Sequence, residues 1–255
     1  MLSAAEHLLQ ELGVTKPQEI DLEAIAYHCG VQVRYKSMQG CEAQIIGTHD
    51  KAVALINENS IPQRRRFSVA HELGHWHFHR GKILNCRTLG DQQGERGANG
   101  PERAADRYAA DLLLPKFIFE PMAMDAKRAS FETVDKLREE FNTSRMATSI
   151  RLVEFSPEPA MLICHGPNGR KWFTRPSHIP DHWFPSDELD PDGYAMDVLH
   201  GQEERSQRRL MPADAWFDRL SAKKYELFEQ SIKISNKEIL TLLVFKDDEM
   251  LEEES

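Results

Sequence analysis

Arg66-Phe67-Ser68-Val69-Ala70-His71-Glu72-Leu73-Gly74-His75-Trp76-His77-Phe78-His79 is the stretch on which the reading of this chain turns. Its centre reads H-E-x-x-H. The spacing predicts a helix opened by Pro62, whose missing N–H is not needed in a first turn. On that helix His71 and His75 lie one turn apart and point the same way. Two imidazoles on one face can share a zinc ion, with Glu72 beside it to handle a proton. Five residues are a weak signal in a chain with 11 histidines. The surroundings have to carry the weight.

A catalytic zinc takes three protein ligands and keeps a fourth position open. The longer H-E-x-x-H-x-x-G-x-x-H pattern fails here at Phe78 and Gly81. The helical stretch from Pro101 to Leu114 offers Glu102 and Asp106 on one face, one turn apart. Glu102 is the candidate third ligand. Asp106 is the candidate acceptor for the second N–H of a ligating histidine, which would hold that ring's tautomer. Glu72 is the candidate general base, taking a proton from the water that the ion activates. Tyr108 could assist the oxyanion, set against a core position between Ala105 and Leu112. His79 has a ligand's spacing, but the helix face has drifted by then, so it reads as a cap on the last carbonyls. His77 reads as surface, and Cys86 as an inert thiol without a partner pattern.

Composition bounds the rest. At 255 residues, 40% hydrophobic and 29% charged, the chain has the make-up of an ordinary globular protein. Of its 41 acids, six fall in the tail 247–255, and the other 35 nearly balance 32 bases. The tail is expected to be disordered, and no surface is announced for nucleic acid. No apolar run approaches membrane-spanning length. Cys29, Cys41, Cys86 and Cys164 form no C-x-x-C pair, and no signal peptide opens the chain. Free thiols and a cytoplasmic location are therefore expected.

The residues quoted so far resemble the ImmA/IrrE family of metallopeptidases. Its pattern R-x-x-x-A-H-E-x-G-H is met from Arg66 to His75. Its E-x-x-A-N-x-F-A-x-x-L-L-x-P is met from Glu102 to Pro115, with Asp106 in place of Asn and Tyr108 in place of Phe. Phe141 to Leu152 is similar to the family's F-x-V-S-x-x-A-x-x-x-R-L segment. The likeness covers about residues 3–155. It implies a gluzincin-like site with His71, His75 and Glu102 on Zn2+ and Glu72 as base. It also implies an endopeptidase that cleaves a protein partner, a helix-turn-helix transcriptional repressor, in gene regulation or stress response.

The expected fold class is α+β. A mostly helical zincin-like peptidase domain with a small N-terminal sheet occupies 1–126. A helix-turn-helix-like segment follows at 127–156, then a strand-rich module at 157–246 and the acidic tail at 247–255. The helical segment carries six bases against four acids between Lys127 and Arg151, so direct DNA binding is not expected, and Arg145 and Arg151 are its basic candidates. Trp172, Trp183 and Trp216 could line a ligand pocket or fill a core, and the resemblance implies a sensor role for this extension. Two other functions stay open. One is a non-catalytic regulator that binds a repressor or DNA and keeps a structural zinc. The other is a partner protein that uses the peptidase fold for binding. Glu72 favours the enzyme, because a structural site needs no base.

Overall fold

Ser3 and Glu6 close a capping box at the start of the first helix. The Ser3 hydroxyl accepts from the Glu6 N–H at 3.3 Å, and Glu6 accepts from the Ser3 N–H at 2.8 Å. This computed structural model describes residues 1–80 and 100–252. Helix α1 is Ala4–Glu11, and α2, Leu22–His28, is capped by the Asp21 carboxylate. Three strands follow, β1 (Val31–Lys36), β2 (Ala43–Gly47) and β3 (Ala52–Asn57). They pair in the order β1-β3-β2, with β1 parallel and β2 antiparallel to β3. Helices α3 (Pro62–His79), α4 (Pro101–Leu113), α5 (Lys116–Ala126), α6 (Phe131–Phe141) and α7 (Arg145–Glu154) complete the helical part.

The chain then forms an antiparallel five-stranded sheet. Its strands are β4 (Ala160–Gly166), β5 (Gly169–Thr174), β6 (Arg209–Pro212), β7 (Glu226–Ser235) and β8 (Glu238–Phe245), in the order β5-β4-β8-β7-β6. Helix α8 is Tyr194–His200 and α9 is Glu249–Glu252. The class is α+β, as expected. The chain divides into two compact units, Met1–Phe119 with Arg138–Ala147, and Glu120–Leu137 with Thr148–Ser255. Among the described residues no helix is long and apolar enough to cross a membrane.

The first unit is organised around α3. Its middle is buried from Ser68 through Trp76. The Trp76 indole N–H donates to the Cys29 carbonyl at 2.8 Å, and Arg66 donates to the Ile20 carbonyl at 3.3 Å. These bonds tie the helix to the residues at both ends of α2. Helix α4 approaches α3 at Gly74. A Cβ placed there would lie 2.8 Å from the Ala105 Cα and 3.0 Å from its carbonyl oxygen. Only a glycine permits that crossing, and Ala105 and Ala109 keep the α4 side equally low.

In the second unit Trp183 and Trp216 are core residues, packed with Phe217, Leu227 and Leu243. Helix α9 corrects the expectation of a disordered tail. Met250 is fully buried, and the Trp183 indole N–H donates to its carbonyl. The apolar pair Met250-Leu251 supplies what six acids obscure, a hydrophobic anchor inside a charged run. Residues 253–255 lie outside the described residues. Helix α5 carries Pro121 in its interior. The thiols depart from expectation too. Cys29 and Cys164 are free, but Cys41 is disulfide-bonded. Disulfides need Cα atoms about 4.4–6.8 Å apart, a distance that sequence spacing does not encode.

Gly74→Ala should destabilise the protein. Helix propensity alone would favour Ala by about 1 kcal/mol. The clash with Ala105 should outweigh it, for a net loss of about 1–3 kcal/mol. Urea unfolding decides, since a gain in stability would show that α4 gives way freely.

A second expectation concerns Glu229 on β7, which is 0% exposed and accepts from the Trp216 indole N–H at 2.9 Å. Burial raises its pKa from 4.5 to about 6, although the Trp216 bond favours the charged form. The folded state therefore holds this proton more tightly than the unfolded chain. Stability from that proton is fully present below the unfolded pKa and is lost as pH rises through about 6. Glu229→Gln keeps an acceptor for Trp216 and carries no charge. It should be more stable than the wild type by about 1–2 kcal/mol near pH 8, with the gap closing toward about pH 4.5. A gap of equal size at both pH values would refute the titration.

Candidate metal centre

His71 and His75 project from the buried middle of α3, 4% exposed each, with Glu72 at 5%. Their Nε2 atoms face each other at 3.0 Å, and the rings meet nearly perpendicular at 82°. Glu102 arrives from the first turn of α4. Its two oxygens lie 3.4 Å from the His71 Nε2 and 3.1 Å from the His75 Nε2. Zinc bonds of about 2.0–2.1 Å in a tetrahedron place neighbouring ligand atoms about 3.3 Å apart. The three observed separations bracket that value. Among the described residues, His71, His75 and Glu102 are the group whose ligand atoms converge in this way.

The hydrogen bonding fits a cation as well. The His71 Nδ1 lies 2.9 Å from an Asp106 carboxylate oxygen, so its N–H donates there. That fixes the tautomer and leaves a lone pair on Nε2, aimed at the same point as the His75 Nε2. Two ring nitrogens 3.0 Å apart beside a carboxylate are a stable arrangement when they share a positive charge. Burial works against charging His71, but the Asp106 and Glu102 hydrogen bonds outweigh it and its pKa is raised. The bonds from His71 and His75 hold Glu102 far below the usual carboxylate range, against the effect of burial. The histidines are buried while both carboxylates are partly exposed, so the centre opens on the α4 side.

Glu72 lines a narrow cleft with His71, Phe67, Ser68, Ala43 and Glu42, between α3 and the start of β2. It is close enough to His71 to favour that ring's charged form. A carboxylate there can move a proton at a reacting group without leaving its own helix.

Tyr108 is buried, at the core position set against oxyanion assistance. It follows Glu102 by six residues, so it faces the other side of α4. Its ring stacks on His77 at 5.3 Å and borders a separate cavity with Cys29, Leu73 and Trp76. Burial, with the nearby Cys29, raises its pKa and keeps the phenol protonated. His77 is exposed, as expected for a surface residue, and its pKa is lowered by partial burial and Arg80. The ring of His79, read from the sequence as a carbonyl cap, lies against His75. The i, i+4, i+8 spacing of His71, His75 and His79 was the signal for that contact. Arg151 on α7 is buried, pairs with Glu154 at 2.8 Å and stacks on Phe155 at 4.6 Å. Arg145 is partly buried. Cys86 lies outside the described residues.

No curated protein matches the sequence significantly. Among solved structures, a Mycobacterium tuberculosis transcriptional regulator shares the fold with a TM-score of 0.64. The match covers 95% of this chain and 75% of that one, at 18% identity. The profile of the IrrE N-terminal-like domain matches residues 26–153, half of the chain, including every residue of the candidate centre. The chain therefore belongs to the M78 peptidase family, in its IrrE N-terminal-like branch.

Proposed function

We propose that the protein is a zinc endopeptidase that cleaves a partner protein, with a helix-turn-helix transcriptional repressor as the substrate class. One observation carries the reading. Two histidine nitrogens and a carboxylate converge at tetrahedral spacing beside the buried Glu72, in a chain of a peptidase family. His71, His75 and Glu102 would hold the ion, and Asp106 would orient His71. Bound there, zinc polarises the scissile carbonyl and brings the pKa of its water from about 15.7 toward about 7. Glu72 would accept the proton of the attacking water and pass it to the leaving amine. In this reading 1–126 is the peptidase, 127–156 the adjoining helical segment, and 157–246 a sensor of the activating signal. The place of action would be the cytoplasm, where repressors work, although the Cys41 disulfide runs against the reducing conditions there.

A second reading has one observation in its favour, that the structural relative is named a transcriptional regulator. In it the zinc is structural and the protein binds its partner without cutting it. Glu72 separates the two, because a structural site gives it no task.

Elemental analysis of the wild type should find close to one zinc per chain, and Glu102→Ala should lose most of it. Equal zinc in both would remove the assigned centre.

Glu72→Gln should keep zinc and fold, since the two side chains have nearly the same shape. Cleavage of the repressor should fall about 10²- to 10⁴-fold with the loss of general-base assistance. The assay is incubation with candidate repressors followed by mass spectrometry of the fragments. Undiminished cleavage by the variant would refute the role of Glu72. Tight binding by both proteins with no cleavage by either would favour the second reading.

A further inference from the structure

Among the described residues, the centre has two histidines and one carboxylate that orients a histidine from behind. Asp106 does this for His71. Behind His75 stands another imidazole. The His75 Nδ1 and His79 Nδ1 atoms are 3.4 Å apart, with ring centroids 5.5 Å apart and planes at 52°. Resting on the zinc reading above, we propose that His79 is the positioning residue of His75. It would accept the His75 Nδ1–H and so hold the His75 Nε2 on the ion.

Helix geometry puts the residue there. Each step of four residues along an α-helix drifts by about 40°. His79 is thus displaced twice over from His71 and lies beyond the convergence point, yet it sits directly above His75. It cannot join the three ligand atoms, because the nitrogen it presents faces the opposite side of the His75 ring. The proton balance then follows. His75 must direct a lone pair from Nε2 toward the ion, so as a neutral ring it carries its proton on Nδ1. For His79 to accept that proton, its own Nδ1 must be bare, which places its hydrogen on Nε2. Both rings stay neutral and one hydrogen bond locks two tautomers. The contact is longer than the 2.9 Å bond between His71 and Asp106 and lacks a charged acceptor. Its influence should accordingly be the weaker of the two.

The test measures zinc affinity of the full chain by competition with a chromophoric chelator, and the visible spectrum of the cobalt-substituted protein. The variants are His79→Ala, His79→Asn and, as a ligand control, His75→Ala. Asn carries an acceptor oxygen on the same δ position as the lost nitrogen, with no ring. His79→Ala should weaken zinc binding about 10-fold, the low end for loss of an orienting partner. It should also shift the cobalt bands, while melting of the metal-free protein stays put. His79→Asn should recover most of the affinity. Wild-type affinity in His79→Ala, with zinc lost in His75→Ala, would overturn the role of His79 and leave the zinc centre standing. So would equal weakening by Ala and Asn, which would mean that ring packing alone matters. Wild-type zinc binding in His75→Ala would overturn the centre itself and this inference with it.

Discussion

Everything at the metal centre depends on how closely α4 can lie on α3. The limiting contact is Gly74 against Ala105, where a Cβ would sit 2.8 Å from backbone. Glu102 and Asp106 belong to a different helix from the histidines, and neither side chain is long. Were the two axes held apart by one more carbon, the carboxylates would fall short of the Nε2 and Nδ1 atoms they now meet. The glycine between the histidines in the motif is therefore a packing residue, and its consequence is electrostatic.

That consequence is a set of groups that explain one another. Burial alone would keep His71 neutral, and a carboxylate as exposed as Glu102 would ordinarily be unperturbed. Brought within 3.4 Å, the ring is pushed toward its charged form and the carboxylate is held ionised. Each of these shifts is caused by the other groups of the cluster, chiefly through the hydrogen bonds between them. The bond from His71 to Asp106 sets the tautomer on one side. His79 faces His75 on the other. The α3–α4 crossing thus supplies the ligands and one orienting partner, while the helix pitch of α3 supplies the second imidazole behind them.

The sheet-bearing unit obeys a different logic. Trp183 and Trp216 fill a core rather than line a site, and α9 is held by Met250 beneath Trp183. Glu229 is buried in that core and accepts a hydrogen bond from the Trp216 indole N–H. Nothing in its local patterns told Trp183 in a core from Trp183 in a pocket, because an aromatic side chain in a strand-rich region suits both.

The sequence by itself determined the helix of His71 and His75, the turn separation of Glu102 and Asp106, and the order of a small sheet, a helical part and a strand-rich module. All of these rest on interactions between residues a few positions apart, where period and capping chemistry leave few choices. The family patterns extended that reach across the gap between α3 and α4. Only the tertiary structure decided which side of α4 meets the histidines, and so that Tyr108 turns away from the centre while Glu102 faces it. It alone showed His79 behind His75, Cys41 in a disulfide, and Met250 under Trp183 in a tail that reads as solvated. These depend on distances between segments far apart in the chain, and such distances are set by packing, which no local pattern records.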